Sequence, residues 1–320
     1  MNGAAGDSSS SSGASAGNVR VYFLRHAESR NNARGPGEAR QGDPPITELG
    51  KAQAEAVGEF LLQRGIYDVS QIFVSPMRRT LLTARPLIRM LLGLHKKRSS
   101  SSSSPPSLKP ITVLPLICEN GGVFEGERHG SELTSHLHGA ETSSAGVSKD
   151  SDSALASGSA DADDDSHGLK VTEMIRDVLL SSHEGAAEEE CVRSAICFAR
   201  PCGEAQGWWT GGRETDEAYA ERCKSICEWI QSLEKSALLI THGKLMDGIL
   251  KEIVFGCEGR AAASRGDNVV FLTGGCAMSC IEMERQTGRV SVCFLNQPVV
   301  PDKSIRTGHA ISGFTFGNEW

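Results

Sequence analysis

At 320 residues with 39% hydrophobic content, the chain can bury a full core, although its Ser and Asp tracts withdraw part of that length from folding. A formal net charge of -7 argues against a nucleic-acid surface, and no run is apolar enough to span a bilayer. Ten scattered cysteines behind an N-terminus of Gly, Ala and Ser without an apolar signal core lead us to expect a reduced, cytoplasmic protein rather than a disulfide scaffold.

Residues 1–18 are expected to form a small-residue tail. Val19, Val21, Tyr22, Phe23 and Leu24 are mostly β-branched or aromatic and too few for a helix, so they predict a buried strand that emerges as Arg25-His26 at a sheet edge. Thr47 is the expected N-cap of a helix through Arg64, with Leu49, Ala52, Ala56, Val57, Phe60 and Leu61 on its apolar face. Ile72-Phe73-Val74 reads as a second strand. It passes through Ser75-Pro76-Met77-Arg78-Arg79-Thr80 into a helix carrying Leu81, Leu82, Ala84, Leu87, Ile88 and Leu91.

A Ser- and Pro-rich insertion is expected near 96–108, then a third strand, Ile111 to Leu114. A second, acidic insertion near 139–168 includes Asp163-Asp164-Asp165, and Lys170 to Leu180 recovers helical periodicity. Gly207-Trp208-Trp209 opens a loop, and Glu214 to Leu233 predicts a helix with Ala218, Ile226, Trp229 and Ile230 inward. Ala237 to Ile240 is the next strand, ending in Thr241-His242-Gly243, and Leu245 to Val254 is helical. Val269 to Leu272, Met278 to Met283 and Val290 to Phe294 read as closing strands, with 301–320 a tail. The alternation predicts one α/β domain over 19–300, a doubly wound, mostly parallel sheet with helices on both faces.

Arg25, His26, Arg79 and His242 all stand at or just beyond predicted strand ends. A doubly wound sheet sets the carboxyl ends of its strands along one edge, so these residues can converge there. Two guanidiniums facing two imidazoles call for an anion. A phosphoryl group suits them, because Arg forks grip phosphate oxygens and imidazole offers a nucleophilic nitrogen.

The order of these residues resembles the histidine phosphatase superfamily, the phosphoglycerate mutase-like fold. Arg25-His26-Ala27-Glu28-Ser29 with Asn32 is similar to its opening arginine-histidine-glycine-glutamate-serine pattern. Ser75-Pro76-Met77-Arg78-Arg79-Thr80 with Thr83-Ala84 is similar to its second pattern, and Leu238-Leu239-Ile240-Thr241-His242-Gly243 to its last. The resemblance covers about Val19 to Phe294 without the insertions. It implies His26 as nucleophile, with Arg25, Arg79 and His242 stabilising the transferring group and Asn32 also binding substrate. Glu119, in Leu116 to Gly126, is the implied proton donor, with Glu125 and Glu28 as alternatives. No metal or cofactor is expected, since side chains supply the cations. Ala27 replaces the family's glycine and adds a methyl group beside the nucleophile.

A second copy of the dipeptide, Arg128-His129-Gly130, follows a polar turn that would not aim it at a sheet edge. His129, His136 and His138 lack an acidic or cysteine partner at ligand spacing and read as a solvated loop. Cys223 and Cys227, four apart on a helix, read as buried small hydrophobes, as do Cys276 and Cys280. Trp208-Trp209 either walls the pocket or packs at a helix entrance. The expected activity is hydrolysis of a phosphomonoester, on a small molecule or a phosphoprotein, through a phosphohistidine. Mutases of the family carry an insertion rich in Arg and Pro that grips a bisphosphate, whereas 139–168 is acidic. Mutase-type transfer and a catalytically idle relative that binds a phosphorylated partner are the alternatives.

Overall fold

The computed structural model describes residues 17–63, 69–99, 110–120, 179, 196–199, 214–261, 269–307, 310–311 and 314–315. Expectations for Glu125, Arg128-His129, His136, His138, Trp208-Trp209, 139–168 and most of 170–180 lie outside them.

Among the described residues, seven strands form one sheet: β1 (Val19–Arg25), β2 (Gln71–Val74), β3 (Ile111–Val113), β4 (Ile196–Phe198), β5 (Ala237–Thr241), β6 (Ala277–Met283) and β7 (Val290–Pro298). Their order is β4-β3-β2-β5-β1-β6-β7. The first five run parallel, and β6 pairs antiparallel with both β1 and β7. A two-stranded hairpin of β8 (Ala310–Ile311) and β9 (Phe314–Thr315) is separate. The mostly parallel α/β sheet is thus present, with β4 an added edge strand that the sequence reading passed over. Three residues are too short a run for alternation to show.

Side-chain alternation explains why both faces are covered. Leu24, Ile72, Val74, Leu238 and Ile240 point into one core with α1 (Glu48–Gln63) and α2 (Arg78–Ser99). Val21, Phe23, Phe73, Ala237 and Leu239 point into the other, with α3 (Asp216–Ser232) and α4 (Gly243–Ala261). Thr47 caps α1 by accepting from Gly50 N at 3.0 Å, and Thr215 caps α3 by accepting from Ala218 N.

Four expectations change. The buried stripe of α1 is Gly50, Gln53, Ala54, Val57, Gly58 and Leu61, with Ala52 exposed, because the fold buries a polar Gln53 for its hydrogen bonds. Ala218 is exposed in the first turn of α3, where Tyr219 packs against the core instead. Helix α2 reaches Ser99, so it runs on through residues 96–99, where the Ser- and Pro-rich insertion was expected to begin. Finally, Val269 to Leu272 is not a strand. Phe271 N donates to the Asp247 carboxylate at 2.8 Å, and the segment crosses towards the site rather than joining the sheet.

Candidate active site

Strand register brings the site together. Arg25 pairs with Thr241 across β1 and β5, and Val74 pairs with Ile240 across β2 and β5. Hydrogen bonding continues one residue beyond the strands, with His26 N donating to Thr241 O at 3.0 Å and Ser75 N to Ile240 O at 3.1 Å. Arg25, His26, Ser75 and His242 therefore share the carboxyl edge at the centre of the sheet. The first turn of α2 adds Arg79. Arg25, His26, Arg79 and His242 are all at least 95% buried, a density of polar groups that an apolar core would not accept without purpose.

One tautomer follows from its partner. His26 Nδ1 lies 2.7 Å from Ala27 O, and a carbonyl only accepts, so Nδ1 holds the proton and Nε2 presents a lone pair. Ser75 Oγ and His242 Nε2 are 2.8 Å apart, and the hydroxyl also accepts from Met77 N at 3.5 Å; its two lone pairs and one proton let either group donate across the contact with His242. His242 Nδ1 is buried with no hydrogen-bond partner among the described residues. The two rings stand 5.3 Å apart, centroid to centroid. Burial, then the Arg79 and Arg25 guanidiniums, hold His26 well below the usual imidazole range. Burial followed by Arg79 does the same for His242. Both rings are neutral near pH 7.

The arginines are held from outside the pocket. Arg25 Nη1 donates to Thr273 O, just beyond the segment expected to be a strand, and a Cβ at Gly243 would lie 3.1 Å from Arg25 Nε. That contact is why a glycine follows His242: the guanidinium passes where a side chain would begin. Arg79 Nη1 faces Asp43 Oδ1 at 3.8 Å, and the same carboxylate accepts from Arg78 N at 3.0 Å. Thr83 Oγ1 accepts from Ala27 N at 2.9 Å and donates to Arg79 O at 2.7 Å, tying the nucleophile's loop to α2.

Glu119 reaches the same edge by a different route. After β3 the chain makes a 3₁₀ turn, Pro115–Ile117, and the Glu119 carboxylate accepts from Asn120 N at 3.0 Å and from Leu245 N, in the first turn of α4, at 3.2 Å. Its charge is felt by both Arg25 and Arg79. Glu28 instead accepts from Thr47 Oγ1 at 2.7 Å. Asn32 is exposed, and its Oδ1 is taken by Ser29 Oγ at 2.8 Å and Ser29 N at 3.1 Å, so the structure shows it closing a turn. The Ala27 methyl is fully buried in the core beside α1 and α2, not turned into the pocket. Cys118 and Cys276 lie close to the cations, but burial pushes both thiols up, Cys118 to about 11, which removes them as nucleophiles.

Asp43, Gln53 and Arg40 were not picked out from the sequence. Asp43 sits in an ordinary Gly-Asp-Pro turn, and its role appears only when α2 is placed on it. Arg40, on the same loop, is within reach of the charges of Arg79 and Glu119.

Fold and site together define an α/β protein that gathers guanidiniums and neutral imidazoles at the carboxyl edge of its sheet. The model of the histidine phosphatase superfamily (branch 1) matches residues 21–97, the stretch that holds Arg25, His26, Asp43, Ser75 and Arg79, and there the chain carries the superfamily's sequence pattern. Among solved structures, the α-ribazole phosphatase from Shigella flexneri is 15% identical, over 87% of this chain and 96% of its own, with a TM-score of 0.44. A phosphoglycerate mutase from Bacillus anthracis str. Sterne is 15% identical, over 88% and 93%, at 0.43. Phosphoserine phosphatase from Entamoeba histolytica, in complex with 3-phosphoglyceric acid, is 13% identical, over 88% and 99%, at 0.42. These are distant likenesses and carry nothing about substrate. No curated protein matches the sequence.

Proposed function

We propose that the protein hydrolyses phosphomonoesters of small molecules through a phosphohistidine on His26. The observation that carries this reading is the His26 tautomer: Nδ1 is spent on Ala27 O, and Nε2 presents a lone pair among buried cations. Nε2 attacks phosphorus in line; the P–N bond forms as the P–O bond to the leaving group breaks, and Glu119 transfers its proton to the departing oxygen. Arg25, Arg79 and His242 stabilise the charge spread over the equatorial oxygens. A water molecule then attacks phosphorus and gives a proton back to Glu119 as the P–N bond breaks, which releases phosphate. This second step makes the protein a hydrolase rather than a mutase, in keeping with the acidic 139–168 stretch, which would repel a bisphosphate.

Acid-labile trapping of labelled phosphate, in EDTA and with a panel of phosphorylated metabolites and one phosphopeptide, tests this. Label on His26 with release of inorganic phosphate is expected, and His26→Ala should lose both. Wild-type turnover in His26→Ala would refute the mechanism. Isomerisation of 3-phosphoglycerate dependent on 2,3-bisphosphoglycerate would establish the mutase reading instead.

A further inference from the structure

The segment that delivers Glu119 has no strand to hold it. β3 ends at Val113, and the carbonyls of Leu116 to Glu119 leave the sheet around a single 3₁₀ turn. Side chains take them instead. Arg222, on α3, donates from Nη1 to Leu116 O at 2.9 Å and to Cys118 O at 3.0 Å, and from Nη2 to Glu119 O at 3.5 Å. Thr241 Oγ1 donates to Ile117 O at 2.8 Å. The rest of the Arg222 fork is locked onto Glu214, with Nε and Nη2 each 2.7 Å from one carboxylate oxygen. Both side chains are largely buried, at 14% and 12% exposure.

A buried ion pair is weak evidence for stability, because desolvation offsets most of its attraction. This one spends its remaining donors on three of the four backbone carbonyls from Leu116 to Glu119, the turn that carries the proton donor. We propose that Glu214 and Arg222 are a positioning pair, which sets the height and direction from which the Glu119 carboxyl meets the leaving-group oxygen. The inference rests on the reading of Glu119 as the acid. Glu214 aligns the guanidinium, the guanidinium fixes the backbone of 116–119, and the backbone places the carboxyl between Leu245 N and the two catalytic arginines.

Leaving-group dependence separates positioning from general support. Departure of 2,4-dinitrophenolate needs no proton, whereas an alkoxide such as that from glycerol 2-phosphate does. The measured quantity is the ratio of kcat/KM for 2,4-dinitrophenyl phosphate to that for glycerol 2-phosphate in Arg222→Lys, Glu214→Gln, Glu119→Gln and the double variant Glu119→Gln/Arg222→Lys. General-acid loss is worth about 10²-fold or more, so Glu119→Gln should raise the ratio by that order, and Arg222→Lys and Glu214→Gln by about tenfold. The double variant should match Glu119→Gln, since a misplaced acid cannot matter once the acid is gone. An unchanged ratio in the pair variants, with both substrates slowed equally, overturns the inference, as does a further rise in the double variant. If Arg222→Lys does not fold, Glu214→Gln decides alone. An unchanged ratio in Glu119→Gln refutes the reading of Glu119 itself, which keeps the two failures apart.

Discussion

At the scale of single residues, the site is controlled by what stands behind each group. Arg25 occupies space that any side chain at 243 would claim, so Gly243→Ala should displace the guanidinium by a few tenths of an ångström. A full ångström of misplacement costs about 10²-fold, so a loss of up to about tenfold in kcat/KM is expected. Steady-state kinetics should show that loss, together with weaker inhibition by inorganic phosphate, while the circular dichroism spectrum stays unchanged. Protonation sets a second expectation. His26 and His242 sit well below 6.5 when folded, so below pH 6.5 the unfolded chain binds protons that the native state refuses. Stability is therefore full above about pH 6.5 and falls with pH below it, by up to about 1.4 kcal/mol per pH unit for each ring. Urea midpoints at pH 7.5 and 5.5 should show the drop, and His242→Asn should reduce its slope. A pH-independent midpoint over that range would contradict neutral, buried imidazoles.

At the scale of elements, the nucleophile's loop and α2 are one unit joined by Thr83. Its hydroxyl accepts from the buried Ala27 N–H and donates to Arg79 O, so it couples the nucleophile's neighbour to a phosphate ligand. Thr83→Val keeps the shape but orphans that N–H, at a cost of about 1–3 kcal/mol. Chemical denaturation should register it, with a fall in kcat larger than that of a substitution elsewhere on α2. The sequence showed Thr83 as part of a motif, and the three motifs do lie at the ends of β1, β2 and β5 in the order read. Ala218 and Ala52 were misplaced because helical periodicity alone leaves the phase of a short apolar stripe free by about one residue. Val269 to Leu272 has a strand's composition, yet Asp247 takes the Phe271 N–H and Arg25 the carbonyl of Thr273 just beyond it, and no local pattern reports a partner so distant in sequence.

At the scale of the whole molecule, the carboxy-terminal segment is part of the structure around the site and not a free tail over its first residues. Gln53, fully buried on α1, accepts from Glu28 N at 2.8 Å and donates to Ile305 O at 2.7 Å and to Thr307 Oγ1 at 3.2 Å. One side chain thus links Glu28, the residue two beyond the nucleophile, to Ile305 and Thr307 near the other end of the chain. Gln53→Leu preserves volume and leaves those groups unpaired, which should lower stability by about 1–3 kcal/mol and reduce kcat/KM. Thermal melts and kinetics check it together. An unchanged melting temperature would mean that residues 305–307 are held by other contacts.

The sequence by itself determined the alternation of strands and helices, and through strand-end composition it singled out Arg25, His26, Arg79 and His242. Those signals are local: β-branched runs, helical spacing and a charged residue where an apolar run stops. Only the tertiary structure decided how these groups are held and which of them carry protons. The order β2-β5-β1 sets His26 beside His242, Ala27 O fixes the His26 tautomer, and the roles of Asp43, Gln53 and the Glu214–Arg222 pair appear only when distant segments meet. Hydrogen bonds between residues far apart in the chain leave no periodic trace, because each needs only one polar side chain among many that look alike.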